Sequence, residues 1–438
     1  MEVPNMNNYP EFVKRTLCSI IDAMELQKEK FVRNPEKDFT RHRIFDFSTM
    51  IKFVLSAGCN TLATELMNFF DFNQFPSVSA FVQQREKILP EAFHHVLIEF
   101  NNRMNVSPKL FHGYRLLAVD GSDLTLPFNP KESENIRTKD HCNFLHLNTI
   151  YDVCSKWYVD AAICSGTKCG EVSAAVDFVR RLPEKFPVIL LADRGYESYN
   201  LFAHVEERLF DYVIRIKDAC STGILSGIEF PEADEFDITR NLVITRQSTG
   251  PAVVNSKVYK YFTKATRFDF IENSKAPDYE IQIRFVRFKL DNGEYEVLAT
   301  SLPEEIFSTE DLKELYHMRW NIETSYLLSK WALGMSSYHS KKAENVKQEV
   351  YADLIMYNFV MYICADLKTE KRGKKHPQQI NYTQAIKICL HFFKASEDVQ
   401  AFDVEATILK FLLPIRSGRS YQRKAVSKSV VSFNYKLS

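Results

Sequence analysis

The sequence predicts an α/β fold: a mixed sheet flanked by helices, an inserted β subdomain, and helical regions at both ends. Three observations point there. Arg115-Leu-Leu-Ala-Val-Asp120 and Pro187-Val-Ile-Leu-Leu-Ala-Asp193 are short apolar runs, each closing on an acid, as buried strands do. Around them the segments follow the order strand, two antiparallel strands, helix, strand, helix, strand. Upstream of about residue 105 the apolar residues instead recur at helical spacing.

Taken in order, Phe47, Met50, Ile51, Val54 and Leu55 share one helical face, as do Phe93, Val96, Leu97 and Phe100. Ser77, after Pro76, is placed to cap a helix from Val78 to Ile88 that carries Arg85 and Lys87. Short helices with such cations fit a helix-turn-helix-like DNA reader, and fit a plain helical bundle equally well. Phe144 to Asp152 and Trp157 to Cys164 read as two strands, Glu171 to Leu182 and Tyr199 to Arg208 as helices, and Asp211 to Lys217 as a strand. Between about 218 and 290 the text is acidic, then alternates at Asn241 to Arg246, Val253 to Phe262 and Glu280 to Leu290, as antiparallel strands do. The sheet resumes at Tyr295 to Ser301. A long helix runs from about Thr309 to Leu333, an apolar one from 346 to 367, and a last helical unit from about 381 to 414, beyond a basic linker.

The 438 residues, 45% hydrophobic and 26% charged, describe an ordinary chain with enough apolar mass for real cores. No apolar run approaches the roughly 20 residues of a membrane helix. The first residues lack the basic and apolar stretches of a secretion signal, so a cytoplasmic location is expected. Nine scattered cysteines without a C-x-x-C pair argue against a disulfide framework and a structural zinc site, and most read as small core residues. Formal charge is zero, but from Lys368 onward 14 Lys+Arg face 5 Asp+Glu. A basic tail is either a solvated surface or a source of phosphate affinity.

The chemistry rests on three acids. Asp120 and Asp193 each end a strand, a common place for a catalytic carboxylate and equally for a turn former. Two acids at neighbouring strand ends repel unless a cation neutralises them, which favours a metal site. On the 309–333 helix, Tyr316, Arg319, Glu323 and Lys330 fall within an arc of about 60° at about 100° per residue. That stripe reads either as a solvated Arg319–Glu323 pair or as a phosphodiester site, Glu323 completing the metal set and Arg319 and Lys330 gripping phosphates.

These residues resemble the bacterial insertion-sequence transposases of the DDE type, in the group whose third acid sits in a Y-x2-R-x3-E-x6-K signature. Tyr316, Arg319, Glu323 and Lys330 match all four positions, Val119-Asp120-Gly121-Ser122 matches the first acid's context, and Asp193-Arg194-Gly195-Tyr196 the second's. The ending Pro414 to Lys424 also looks like that group. The resemblance implies an RNase-H-like mixed sheet interrupted by a β insertion. It divides the chain into a helical DNA-binding region (1–110), a catalytic core (111–217 and 295–367), the insertion (218–294) and a basic C-terminal region (368–438) for DNA contact or dimerisation. It further implies a homodimer that pairs two element ends of double-stranded DNA. Asp120, Asp193 and Glu323 would hold two Mg²⁺, or Mn²⁺, for strand cleavage and transfer through a hairpin. Tyr316, Arg319, Lys330, Arg194, Arg416, Arg419, Arg423 and Lys424 are the expected DNA contacts. Some relatives stack an extruded base on a Trp of the insertion; this chain has only Trp157, Trp320 and Trp331, leaving Tyr295, Phe268 or Phe270 for that role. A nuclease without strand transfer, or a non-catalytic DNA-binding descendant, are the alternatives.

Overall fold

The computed structural model describes residues 9–416, apart from residues 42, 138–141, 167–169, 184, 219–222, 251–254, 256, 274, 336, 370–375 and 396–401. Strands β1 (Arg115–Leu126), β3 (Cys142–Asp152), β4 (Trp157–Ser165), β5 (Val188–Ala192) and β6 (Asp211–Ile216) are its centre, with the two-residue β2 (Ile136–Arg137) beside β3. Their order across the sheet is β4-β3-β1-β5-β6. The first three are antiparallel and β1, β5 and β6 run parallel, which makes the sheet RNase-H-like.

The parallel strands are apolar on both faces because both faces are covered. Leu116, Ala118, Ile189 and Leu191 enter one core, while Leu117, Val119, Leu190 and Ala192 enter the other. The second core is built by α6 (Glu171–Arg181) and α7 (Tyr199–Glu206). The first holds the N-terminal helices α1 (Tyr9–Glu25), α2 (Phe47–Ser56), α3 (Leu62–Phe69), α4 (Val78–Arg85) and α5 (Pro90–Met104). It also holds α8 (Thr309–Met318), α9 (Trp320–Leu328), α10 (Ala343–Cys364), α11 (Tyr382–Lys394) and α12 (Val404–Leu409).

Residues 236–289 form no separate sheet: β7 (Phe236–Thr245), β8 (Tyr259–Tyr261) and β9 (Tyr279–Lys289) continue the central one through β10 (Tyr295–Thr300), which pairs with β6. The N-terminal helices do not stand apart either, for α5 and α1 pack on α10 within one core. Ser77 does cap α4, its Oγ accepting from the Ala80 N–H at 3.2 Å, yet Arg85 is turned inward. Its guanidinium bonds Gln348 Oε1 at 2.8 Å, Glu349 Oε1 at 2.9 Å and the Asn345 carbonyl, all on α10. Arg85 is therefore a buried staple and does not face DNA. Among the described cysteines, Cys164 is disulfide-bonded and the other six are thiols. No helix among the described residues is long and apolar enough to cross a membrane.

Candidate active site

Two parallel strands set the first two acids side by side. The β1–β5 pairing ends at Val119 opposite Ala192, so Asp120 and Asp193 are the next residues on each strand. Beyond that point the chains part. β1 does not stop at Asp120, as its glycine suggested, but runs on to Leu126 against β3, with Asp120 opposite Thr149. Asp193 instead turns into a short helical turn, its Oδ1 accepting the Arg194 N–H at 2.6 Å.

The third acid comes from the opposite layer. Ser308 caps α8 in a capping box with Asp311. The expected single helix is broken at Arg319, where the N–H bonds Tyr316 three residues back, and it ends in a π turn over Ser329–Leu333. Tyr326 docks this helix on β1, donating to the Asp120 carbonyl at 2.9 Å, with Thr149 Oγ1 2.7 Å from the same hydroxyl. Tyr316 reaches Asp193 Oδ1 at 3.2 Å and Lys330 reaches Ser122 Oγ at 2.8 Å. Two members of the stripe, one at each end, thus reach the two acid-bearing segments.

Arg319 lies at the middle. Its side chain is 4% exposed, pairs with Glu323 Oε1 at 3.1 Å, and rests against the Tyr316 and Trp320 rings. Its Nε–H is buried and has no hydrogen-bond partner among the described residues. An unsatisfied buried guanidinium donor is costly, and an arriving phosphate oxygen would relieve that cost. Burial pushes the Asp120 carboxyl up to about 6 against the pull of Arg319 and the Gly121 N–H, and Glu323 and Glu171 push it the same way. Asp120 therefore feels the third acid directly. Burial lowers Lys330 from the usual lysine range, with Asp120 and Asp123 opposing.

Glu171, at the start of α6, is the residue that sequence reasoning missed. A Cβ placed on Gly121 would stand 2.6 Å from its Oε1 and 2.5 Å from His146 Nε2, and one on Gly195 would stand 3.2 Å from its Oε2. The glycine after Asp120 and the one two places after Asp193 are thus the space into which this carboxylate fits. His146 lies 3.3 Å from Glu171 and 2.8 Å from Asp123, two carboxylates that favour the charged imidazole.

Residues 111–359 match the family model for the transposase DDE domain. The chain belongs to the DDE-domain transposases. Such domains catalyse phosphodiester cleavage and transesterification and work with divalent metal ions. No curated protein is matched by the sequence. Among solved structures, this transposase chain is similar to a piggyBac transposase synaptic complex with hairpin DNA, at 11% identity and a TM-score of 0.47, over 95% of this chain and 87% of that one.

The donor chemistry of the candidate site suits a hard divalent cation, since its candidate donors are carboxylate oxygens. Burial and neighbouring acids raise Asp120, the signature of carboxylates that a cation would relieve. Among the described residues no group of three or more His, Cys, Asp or Glu is gathered tightly enough to hold an ion as it stands. The Arg319–Glu323 and Tyr316–Asp193 bonds occupy two of the three carboxylates.

The other expected DNA contacts divide. Arg194 is exposed beside Asp193, and Arg416 is exposed next to the β-bridge of Leu413–Pro414 with Gln378–Gln379, with no hydrogen bond or ion pair among the described residues. Arg419, Arg423 and Lys424 lie outside the described residues. Of the expected stacking rings, Phe268 is buried in the second core, Phe270 packs against His204 and Tyr279, and Tyr295 is covered by the Arg287 guanidinium at 4.0 Å. The solvent-facing tryptophans, Trp320 and Trp331, are both on the Glu323 helix.

Proposed function

We propose that the chain is an insertion-sequence transposase that binds terminal inverted repeats and performs metal-dependent strand cleavage and strand transfer at Asp120, Asp193 and Glu323. One observation carries the reading: the parallel β1–β5 pair ends at the two aspartates while the Tyr316–Lys330 stripe crosses both strands. The three carboxylates would hold Mg²⁺, or Mn²⁺, as two ions. When bound, these supply charge stabilisation at the scissile phosphate and a water or 3′ hydroxyl of lowered pKa.

The chain's own side chains do the rest. The free Nε–H of Arg319 donates to a phosphate oxygen, Lys330 and Arg194 neutralise backbone charge, and the Tyr316 hydroxyl holds Asp193 in place. Arg319 must release Glu323 for that acid to turn to the metal, so DNA binding and site assembly are coupled. A homodimer pairs two ends, a hairpin closes the excised end, and the basic tail adds phosphate contacts.

Incubating the protein with its element's ends and Mg²⁺ tests this. Joined products are expected; cut ends that never join would make it a nuclease instead. Proton and metal also compete for Asp120. Its carboxyl is protonated below about pH 6, so Mg²⁺ binding to the metal-free protein is expected to weaken by about tenfold from pH 7.5 to pH 5. Calorimetric titration checks this, and Asp120→Asn is expected to flatten the dependence.

A further inference from the structure

We propose that a basic hollow in the N-terminal region, formed by Lys37, Arg41, Arg43 and Lys87, grips the phosphate backbone of duplex DNA. The inference rests on the transposase reading and assigns it a surface that the buried Arg85 of α4 does not supply.

The hollow has a volume of about 410 Å³, and one carboxylate, Glu36, stands among its four cations. Its walls are fixed. The segment 31–33 is clamped to the α4–α5 connection by a Val32–Ile88 bridge and by backbone bonds from Arg33 N to Lys87 O (2.8 Å) and Leu89 N to Phe31 O (2.9 Å). Asp38 is buried and spends its carboxylate on the Asn34 N–H at 2.9 Å, so it does not neutralise the loop. Phe39 and Phe45 anchor the loop in the core, Phe39 from the left-handed region at φ 54°. Lys87 is steadied by Gln84 Oε1 at 2.8 Å and by the Phe39 ring.

Lys37, Arg41 and Arg43 are exposed and make no ion pair among the described residues. Neighbouring cations do: Lys28 pairs with Glu25, Arg33 with Glu344 and Lys342 with Glu86. A rigid concave surface that collects like charges without internal partners repels itself and attracts a polyanion. Duplex DNA suits it better than a small anion, because the hollow is open and three of its four cations, Lys37, Arg41 and Arg43, are exposed to solvent. Contacts of this kind position a duplex without reading its sequence.

The test is the triple variant Lys37→Ala/Arg41→Ala/Arg43→Ala. All three side chains are exposed, so the variant is expected to fold, which its circular dichroism and melting curve verify. Fluorescence anisotropy then measures binding to an element-end duplex and an unrelated duplex between 50 and 200 mM salt. Affinity for both is expected to fall by about 10- to 100-fold, and the slope of log K against log salt by about 2 to 3, near 0.9 per lost phosphate contact. If wild type binds and cuts end DNA and the folded variant keeps its affinity and slope, the hollow is not the grip, while the transposase reading stands. Wild-type protein that neither binds nor cuts element ends would overturn that reading and this one together.

Discussion

Replacing Asp120 by Asn is expected to abolish strand cleavage by at least about 10³-fold, or about 4 kcal/mol of transition-state stabilisation, while end-DNA binding changes by less than about twofold. Asn keeps the shape and can still accept the Gly121 N–H that Asp120 holds. What it loses is the negative charge, and charge is what a Lewis-acidic cation needs at this position. Asp193→Asn and Glu323→Gln are expected to match it. If the three carboxylates act as one unit, as proposed, any double variant should be no worse than a single one. Gel assays of nicking beside anisotropy of binding separate chemistry from affinity. Residual cleavage near wild type in any one variant would remove that acid from the site.

Arg85→Ala carries the largest expected loss of stability, about 3 to 5 kcal/mol, read from the urea unfolding midpoint. The Arg85 and Glu349 side chains are 3% and 8% exposed. Glu349 also accepts the His339 N–H at 3.0 Å, and Gln348 donates to the Ile88 carbonyl at 2.7 Å. Removing the guanidinium takes a counter-charge from a buried carboxylate and removes three of the bonds that tie α4 to α10. Arg85→Met combined with Glu349→Leu is expected to recover most of the loss, since it removes both charges and keeps the volume. An Arg85→Ala protein as stable as wild type would show that the N-terminal helices are held by apolar packing alone.

The central sheet could be read from the sequence because strands buried on both faces leave continuous apolar runs, and those at 115–120 and 187–193 each stop at an acid. The Tyr316-to-Lys330 stripe could be read because helical periodicity is local. What resisted depends on distant neighbours. Period-two alternation in 236–289 announces strands but not the sheet they join, and only the β9–β10–β6 pairing shows one continuous layer. Arg85 and Lys87 look alike in sequence; one faces Glu349 and the other lines the open hollow. Glu171 reads as an ordinary acid in a helix's first turn. Its trace was the glycine following Asp120 and the one after Arg194, which mark where another group comes close. That the Arg319 guanidinium is buried beside Glu323 instead of solvated left no trace in the spacing.

Anomalous diffraction from Mn²⁺-loaded crystals of the protein with end DNA locates the ions directly. One or two peaks are expected, each ligated by Asp120 and between them touching Asp193 and Glu323, with Arg319 swung from Glu323 to the scissile phosphate. Ions bound away from these carboxylates, or Glu323 still paired to Arg319 in a cleaving complex, would contradict the proposed site.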